Sequence, residues 1–225
     1  MSFWEYDLSS DTLLIGERIK KGTYRPVISW DSGSQSRPLP YSTAVGALRE
    51  YLGLNFNVPV HAAGYITEGT EEPLIIAPRD NVTGMAKLPI TVKYLSCVKG
   101  KLFILIDEHT ETLPKVFKMW MGGMRYKGFG LCDLNRSDKP VEPEPAEGRL
   151  LTRIPKEALE IFGINNIKED QNGPYRWGYL FKPMSETGGV YVKSLFEGSE
   201  LEAFNMILGE CYEQCFGNSH KTAAQ

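Results

Sequence analysis

The segment that most restricts the possible folds of this chain is Met121 to Leu131, MGGMRYKGFGL. Four glycines (Gly122, Gly123, Gly128 and Gly130) fall within nine positions, with Arg125, Tyr126, Lys127 and Phe129 among them. Glycine permits positive φ and leaves no Cβ between the backbone and a ligand. Successive amides in such a bend can turn toward one anion and form a nest for phosphate. Arg125 and Lys127 add charge-assisted hydrogen bonds to phosphate oxygens. Tyr126 and Phe129 offer faces on which bases can stack.

The elements around the bend narrow its meaning. The stretch Thr112 to Met121 predicts a helix, with Pro114 in its first turn and Val116, Phe117, Trp120 and Met121 as an apolar stripe. LCDL, 131 to 134, predicts a closing strand. Dinucleotide loops and P-loops need the opposite order, strand then glycines then helix, because a helix N-terminus meets the phosphate. Here a helix C-terminus would face the bend, and its dipole repels anions. Any anion must therefore be held by the nest and the cations.

Upstream, FWEYDL and TLLIGERI read as one bent strand and GTYRPVISW as another. Ser42 or Thr43 can cap a helix running from Ala44 to Leu52, with Gly53 closing it. Residues 58 to 66, 74 to 77 and 90 to 98 read as short strands. KGK at 99 to 101 reads as a turn into the apolar strand LFILID. The order strand, helix, strand, strand, helix, strand predicts an α+β chain with a ferredoxin-like (RRM-like) βαββαβ domain over residues 1 to 139 and an inserted β-hairpin at about 67 to 100. PVEPEPAE reads as an extended linker, 140 to 148. A smaller α+β region follows over 149 to 225. It comprises a short helix PKEALEIFG, strands YRWGYLF and GVYVKSLF, and a helix over about 200 to 216.

The net charge of −3 and pI of about 5.7 argue against binding nucleic acid by bulk charge. A nucleic-acid site must be local, a basic loop on an acidic body. No run reaches the apolar length of a membrane span, and the N-terminus lacks a secretory pattern, so the expectation is a cytoplasmic protein with reduced cysteines. Cys211 and Cys215 lie one helical turn apart near His220. They read as small residues on one helical face, because the spacing of known zinc sites is not met. No metal or cofactor is expected.

The bend placed between last helix and last strand resembles the RAMP superfamily of CRISPR-associated proteins. So does LPYSTAVGALR, 39 to 49, at the first helix. The likeness covers about residues 3 to 135. It implies an RNA-binding subunit of a CRISPR effector complex, most like the small subunit that caps the 5′ handle of CRISPR RNA. Its implied partners are CRISPR RNA, other effector subunits in a hetero-oligomer and target nucleic acid, with no membrane. The implied contacts are Gly122, Gly123, Arg125, Tyr126, Lys127, Gly128, Phe129 and Gly130, with Ser42, Thr43 and Arg49 adding hydrogen bonds from the first helix.

Other roles compete. A backbone subunit that cuts target RNA would carry an aspartate before the Pro-Val strand, where this chain has Tyr24; Asp31 lies past the strand. An endonuclease that matures CRISPR RNA would need a general acid or base near neutrality, most often histidine. His61, His109 and His220 are the candidates, and His109, at a strand end, is the one directed toward the bend. A small-molecule enzyme on the same fold, or a purely structural assembly protein, are the remaining classes. The reading adopted is grip without chemistry, so the chain is expected not to be an enzyme.

Overall fold

The computed structural model describes residues 1–18, 24–26, 37–76, 90–165, 167, 174–185 and 188–209. The strands are β1 (Phe3–Leu13), β2 (Gly16–Arg18), β3 (Tyr24–Pro26) and β4 (Arg37–Leu39), then helix α1 (Tyr41–Leu52). They continue as β5 (Ala62–Ile76), β6 (Ile90–Leu105), β7 (Val116–Trp120), β8 (Leu131–Arg136), β9 (Pro145–Leu150) and β10 (Ile154–Pro155). The last are β11 (Trp177–Pro183), β12 (Gly189–Leu195), β13 (Glu200–Phe204) and β14 (Leu208–Gly209). The chain is α+β, with antiparallel sheets and one α-helix among the described residues.

Six strands form the main sheet in the order β4-β5-β6-β1-β8-β7. β1 lies inside it, paired with β6 and β8, and its residues alternate across the sheet: Tyr6, Leu8 and Ser10 are buried, while Asp7, Ser9 and Asp11 face solvent. The inner order β5-β6-β1-β8 is consistent with a ferredoxin-like arrangement. α1 covers one face, burying Tyr41, Ala44, Val45, Ala47 and Leu48 along one helical stripe. Gly53 ends it in the left-handed region (φ 65°). There Leu54 N–H donates to the Arg49 carbonyl and Gly53 N–H to that of Glu50. The N-cap is Pro40, and no side chain caps the helix, so the expected capping by Ser42 or Thr43 does not occur.

The expected second helix is absent. Residues 107 to 113 form turns in which the Asp107 carboxylate accepts the amides of His109 and Thr110. β7 then replaces the helix. Its burial alternates strictly, with Phe117 and Met119 inside and Val116, Lys118 and Trp120 outside. That period of two fits a strand pairing with β8 and not a helical stripe. The glycine bend is thus a β7–β8 hairpin loop, and no helix dipole bears on it from the preceding element.

KGK is likewise not a turn. Lys99, Gly100 and Lys101 pair with Ser9, Leu8 and Asp7 of β1, and β5 pairs on the other side. Two ladders of hydrogen bonds outweigh the local turn preference. Gly100 is needed because a Cβ there would meet the Tyr65 carbonyl oxygen at 2.4 Å. The short strands expected at 58 to 66 and 74 to 77 fall, over residues 62–66 and 74–76, in one strand, β5, with 58–61 leading into it. The expected inserted hairpin is the continuation of β5 and β6 past the end of β1 at Leu13; residues 77–89 lie outside the described residues.

The proline-rich segment is tied down rather than free. Val141 exchanges backbone hydrogen bonds with Phe3. β9 begins at Pro145 and lies between β13 and β14, with the proline at the strand's first position, where a missing N–H is tolerated. The expected helix over 200 to 216 is strand β13, a 3-10 turn and β14 as far as it is described. β9 pairs with both strands, and that pairing outweighs helix preference. Residues 210–225, with Cys211, Cys215 and His220, lie outside. PKEALEIFG forms two 3-10 turns closed by Gly163. β11 and β12 are the two expected strands, and they pair antiparallel with each other.

The C-terminal region packs on the main sheet through Phe3, whose ring lies 5.7 Å from Phe162 and 6.3 Å from Phe204. Thr152 Oγ1 donates to the Leu39 carbonyl, and Tyr41 N–H to that of Arg153. Arg153, 1% exposed, is held by Glu197 through two bonds of 2.6 and 2.7 Å and stacks on Phe196. Removing one partner of such a pair strands a buried charge. Glu197→Ala is expected to lower stability by about 3–5 kcal/mol in urea unfolding, and Arg153→Met/Glu197→Leu by markedly less.

Candidate nucleic-acid interface

Three backbone bonds close the base of the β7–β8 loop. Met121 N–H donates to the Gly130 carbonyl (2.8 Å), Gly123 N–H to Leu14 (2.8 Å) and Gly130 N–H to Thr12 (2.7 Å). The loop is therefore pinned to the end of β1. Gly122 (φ 83°) and Gly130 (φ 85°) allow this closeness. A Cβ would lie 2.4 Å from the Leu14 oxygen at the first and 1.9 Å from the Met121 oxygen at the second.

Beyond the base the loop leaves the body. Met124 takes a left-handed conformation (φ 55°), Arg125–Lys127 make one 3-10 turn, and Gly128 (φ 86°) reverses the chain. Arg125, Tyr126, Lys127 and Gly128 are all exposed, Tyr126 to 83%. Inside the turn, Lys127 N–H donates to Met124 and Gly128 N–H to Arg125. With the three base bonds, five of the loop's amides are engaged by the chain's own carbonyls. The glycines shape and anchor the turn, and the side chains of Arg125 and Lys127 carry charge outward at its tip.

Those side chains are differently engaged. Arg125 pairs with Glu50 at the C-terminal end of α1. Lys127 stands 5.9 Å from the centre of the Tyr126 ring and has no carboxylate partner among the described residues. Lys93, Lys99, Lys101, Lys115, Lys118 and Lys182 each contact a carboxylate. Phe129 is half-buried and packs edge-on against Tyr94 of β6 at 5.1 Å, so it braces the loop rather than offering a free face. Sequence reasoning missed Trp120 (40% exposed) and Leu131 (37%), which pair across β7 and β8 at the foot of the loop. Reading Phe117 and Met119 as a period of two would have placed Trp120 outside.

The other candidates do not join the loop. Glu50 is the helical residue that reaches it, and Ser42 lies eight residues earlier, about 12 Å along the axis. Ser42 and Arg49 instead line a shallow cleft with Val45, Glu157, Phe181 and Lys182. Arg49 Nε donates to the Val58 carbonyl at 3.1 Å, and burial lowers its pKa. Thr43 is half-buried on the same helix turn as Ser42.

His109 is not near the loop either. It follows β6, whose last residue Leu105 pairs with Phe3, whereas the loop meets β1 at Thr12 and Leu14. Nine strand residues, about 30 Å, separate these ends. Its Nε2 lies 3.4 Å from Glu108. His61 shares a 2.7 Å hydrogen bond with Tyr41 Oη, and burial lowers its pKa while raising that of Tyr41. Tyr24 lies in β3; Asp31 lies outside the described residues. Among the described residues no cluster of His, Cys, Asp and Glu could hold a metal ion, and no helix is long and apolar enough to cross a membrane.

No protein-family model matches the chain, and no curated protein does. Solved structures do match. One is a chain of the Type III-B Cmr-beta complex bound to cognate target RNA and AMPPnP. It has a TM-score of 0.52 and 13% identity, over 90% of this chain and 86% of that one. Another comes from Cmr-beta bound to cognate target RNA, with a TM-score of 0.53 and 14% identity, over 88% of this chain and 86% of that one. The likeness is one of fold. It spans both halves of the chain, including the C-terminal region for which the sequence offered no motif.

Gly130→Ala should open the loop base, since neither φ nor space admits a side chain, whereas Gly128→Ala meets only the φ strain because nothing lies within 4 Å. Cys132 reports on that base: buried beneath it, with its thiol pKa pushed up to about 11 by desolvation, it should resist iodoacetamide at pH 8. Alkylation followed by mass spectrometry is expected to label Cys132 much faster in Gly130→Ala than in wild type or Gly128→Ala.

Proposed function

We propose that the chain is a non-catalytic, RNA-holding subunit of a CRISPR effector complex, and that the tip of the β7–β8 loop grips CRISPR RNA, at its 5′ handle. One observation carries this reading. A turn bearing Arg125, Tyr126 and Lys127 is pinned at its base by backbone bonds and projects into solvent. The fold likeness to chains of RNA-bound Cmr-beta complexes supports the setting. So does the resemblance of the loop and first helix to the RAMP superfamily.

The energetics allow Arg125 to change partner. Its pair with Glu50 is exposed on both sides, and such pairs are worth about 0–1 kcal/mol. A hydrogen bond to a charged group contributes about 1.5–3 kcal/mol, so a phosphate can displace Glu50. Lys127 needs no such exchange. Tyr126, with its ring exposed, can stack on a base at about 1–3 kcal/mol. The reading assigns no chemical step, in keeping with His109 at the far end of the sheet and His61 engaged by Tyr41.

Fluorescence anisotropy with a single-stranded RNA carrying the repeat-derived handle tests this. Arg125→Ala/Lys127→Ala is expected to weaken binding and to reduce the slope of log K against log salt by about 1.4, two contacts at ~0.7 each for single strands. Glu50→Ala, which releases Arg125, should tighten binding a few-fold. A double variant of wild-type stability that binds RNA with unchanged affinity and salt slope contradicts the reading.

A further inference from the structure

Helical spacing gathers three residues of α1 on one stripe. Ser42, Val45 and Arg49 lie three and four apart, and helical side chains tilt toward the N-terminus, which brings the Arg49 guanidinium back toward Ser42. This stripe is one wall of the shallow cleft. The C-terminal region is the other, with Pro155, Leu180, Pro183 and Val192 as aliphatic lining and Glu157 and Lys182 as its charges. Glu157 is answered by Lys182. Arg49 is half-buried, its Nε donates to the Val58 carbonyl, and no carboxylate among the described residues forms an ion pair with it. Burial lowers its pKa even though the field of Glu157 acts the other way. The same burial lowers the pKa of His61 and raises that of Tyr41, which also lines the cleft and shares a hydrogen bond with His61. A largely apolar cleft with a few convergent polar groups of altered ionisation is the pattern of a ligand site.

We propose that this cleft binds a carboxylate carried on a short branched aliphatic body, with the Arg49 fork on the carboxylate and the body against Val45, Leu180 and Val192. A leucine at the C-terminus of a peptide and a free branched-chain acid present the same chemistry. Charge selects a monoanion: Arg49 and Lys182 against Glu157 leave one positive charge in the cleft, which a phosphate dianion would exceed. The guanidinium fork matches a carboxylate in a bidentate pair, and its weak hydration lets it work between apolar walls. Ser42, on the same stripe, supplies a hydroxyl donor. Most of the remaining lining is aliphatic, so an alkyl group gains by burial there. A phosphodiester also carries one charge, but its sugars would have to leave water for that lining without hydrogen-bond partners. The site stands apart from the β7–β8 loop, and the inference does not rest on the RNA reading.

The test is proton–nitrogen correlation NMR of the arginine Nε–H signals in the full chain, titrated with N-acetyl-leucine, 4-methylpentanoate and the neutral N-acetyl-leucinamide. Arg49→Lys removes one of those signals and so assigns it. Both acids are expected to shift the Arg49 signal saturably, in the millimolar range usual for ligands of this size. The amide should bind about 10- to 100-fold more weakly, because it cannot accept a charge-assisted pair from the fork. Ser42→Trp, which fills the cleft and leaves Arg49 in place, should abolish the shift at native thermal stability. Whichever acid binds more tightly identifies the source, a peptide terminus for N-acetyl-leucine and a free acid for 4-methylpentanoate. Equal binding of amide and acids overturns the proposal, as does wild-type affinity in Ser42→Trp or the absence of a shift with either acid. A shift produced by a uridylate oligomer and by neither acid overturns it in favour of a nucleic-acid backbone.

Discussion

Closure of the β7–β8 loop onto the end of β1 is the constraint from which the candidate interface follows. Thr12 and Leu14 accept Gly130 and Gly123 amides, so the loop inherits the position of the most central strand in its neighbourhood. β1 in turn is fixed by pairing with β6 on one side and β8 on the other. A flexible glycine-rich hairpin would lose much of its binding energy to ordering. Here the folded state has already met that cost, with the glycines placed where only they fit.

Charge works at the same local scale. The body is acidic overall, and most of its described lysines contact carboxylates, among them Lys101 with Glu5, Lys99 with Glu68 and Lys118 with Asp133. That arrangement suppresses diffuse attraction for nucleic acid. The loop tip differs: Lys127 faces solvent, and Arg125 leans on a carboxylate that is itself exposed. Selectivity then comes from where cations are left available rather than from total charge.

Much of this was legible in the sequence, and the failures have physical causes. Helix α1, its stop at Gly53 and the two strands β11 and β12 follow from local periodicity and residue preference. The bend at 121 to 131 was recognisable because four glycines with two cations are rare in regular structure. The second helix was misread because Val116, Phe117, Trp120 and Met121 fit a helical stripe, while pairing with β8 enforces alternation instead. KGK was misread because long-range ladders on both sides override a local turn preference. Ser42 and Thr43 stand apart from the loop because α1 meets Arg125 with its C-terminal end, not its start, and Arg49 turns instead to the Val58 carbonyl. Trp120 went unnoticed as a surface residue for the same reason that β7 was taken for a helix.

Crosslinking with RNA carrying 4-thiouridine, followed by mass-spectrometric mapping of the linked peptides, addresses the central claim most directly. The account predicts crosslinks within 121–131, centred on Tyr126, that fall when Tyr126 is replaced by alanine. RNA that binds the chain yet leaves this segment unlinked, with every adduct elsewhere on the molecule, would contradict it.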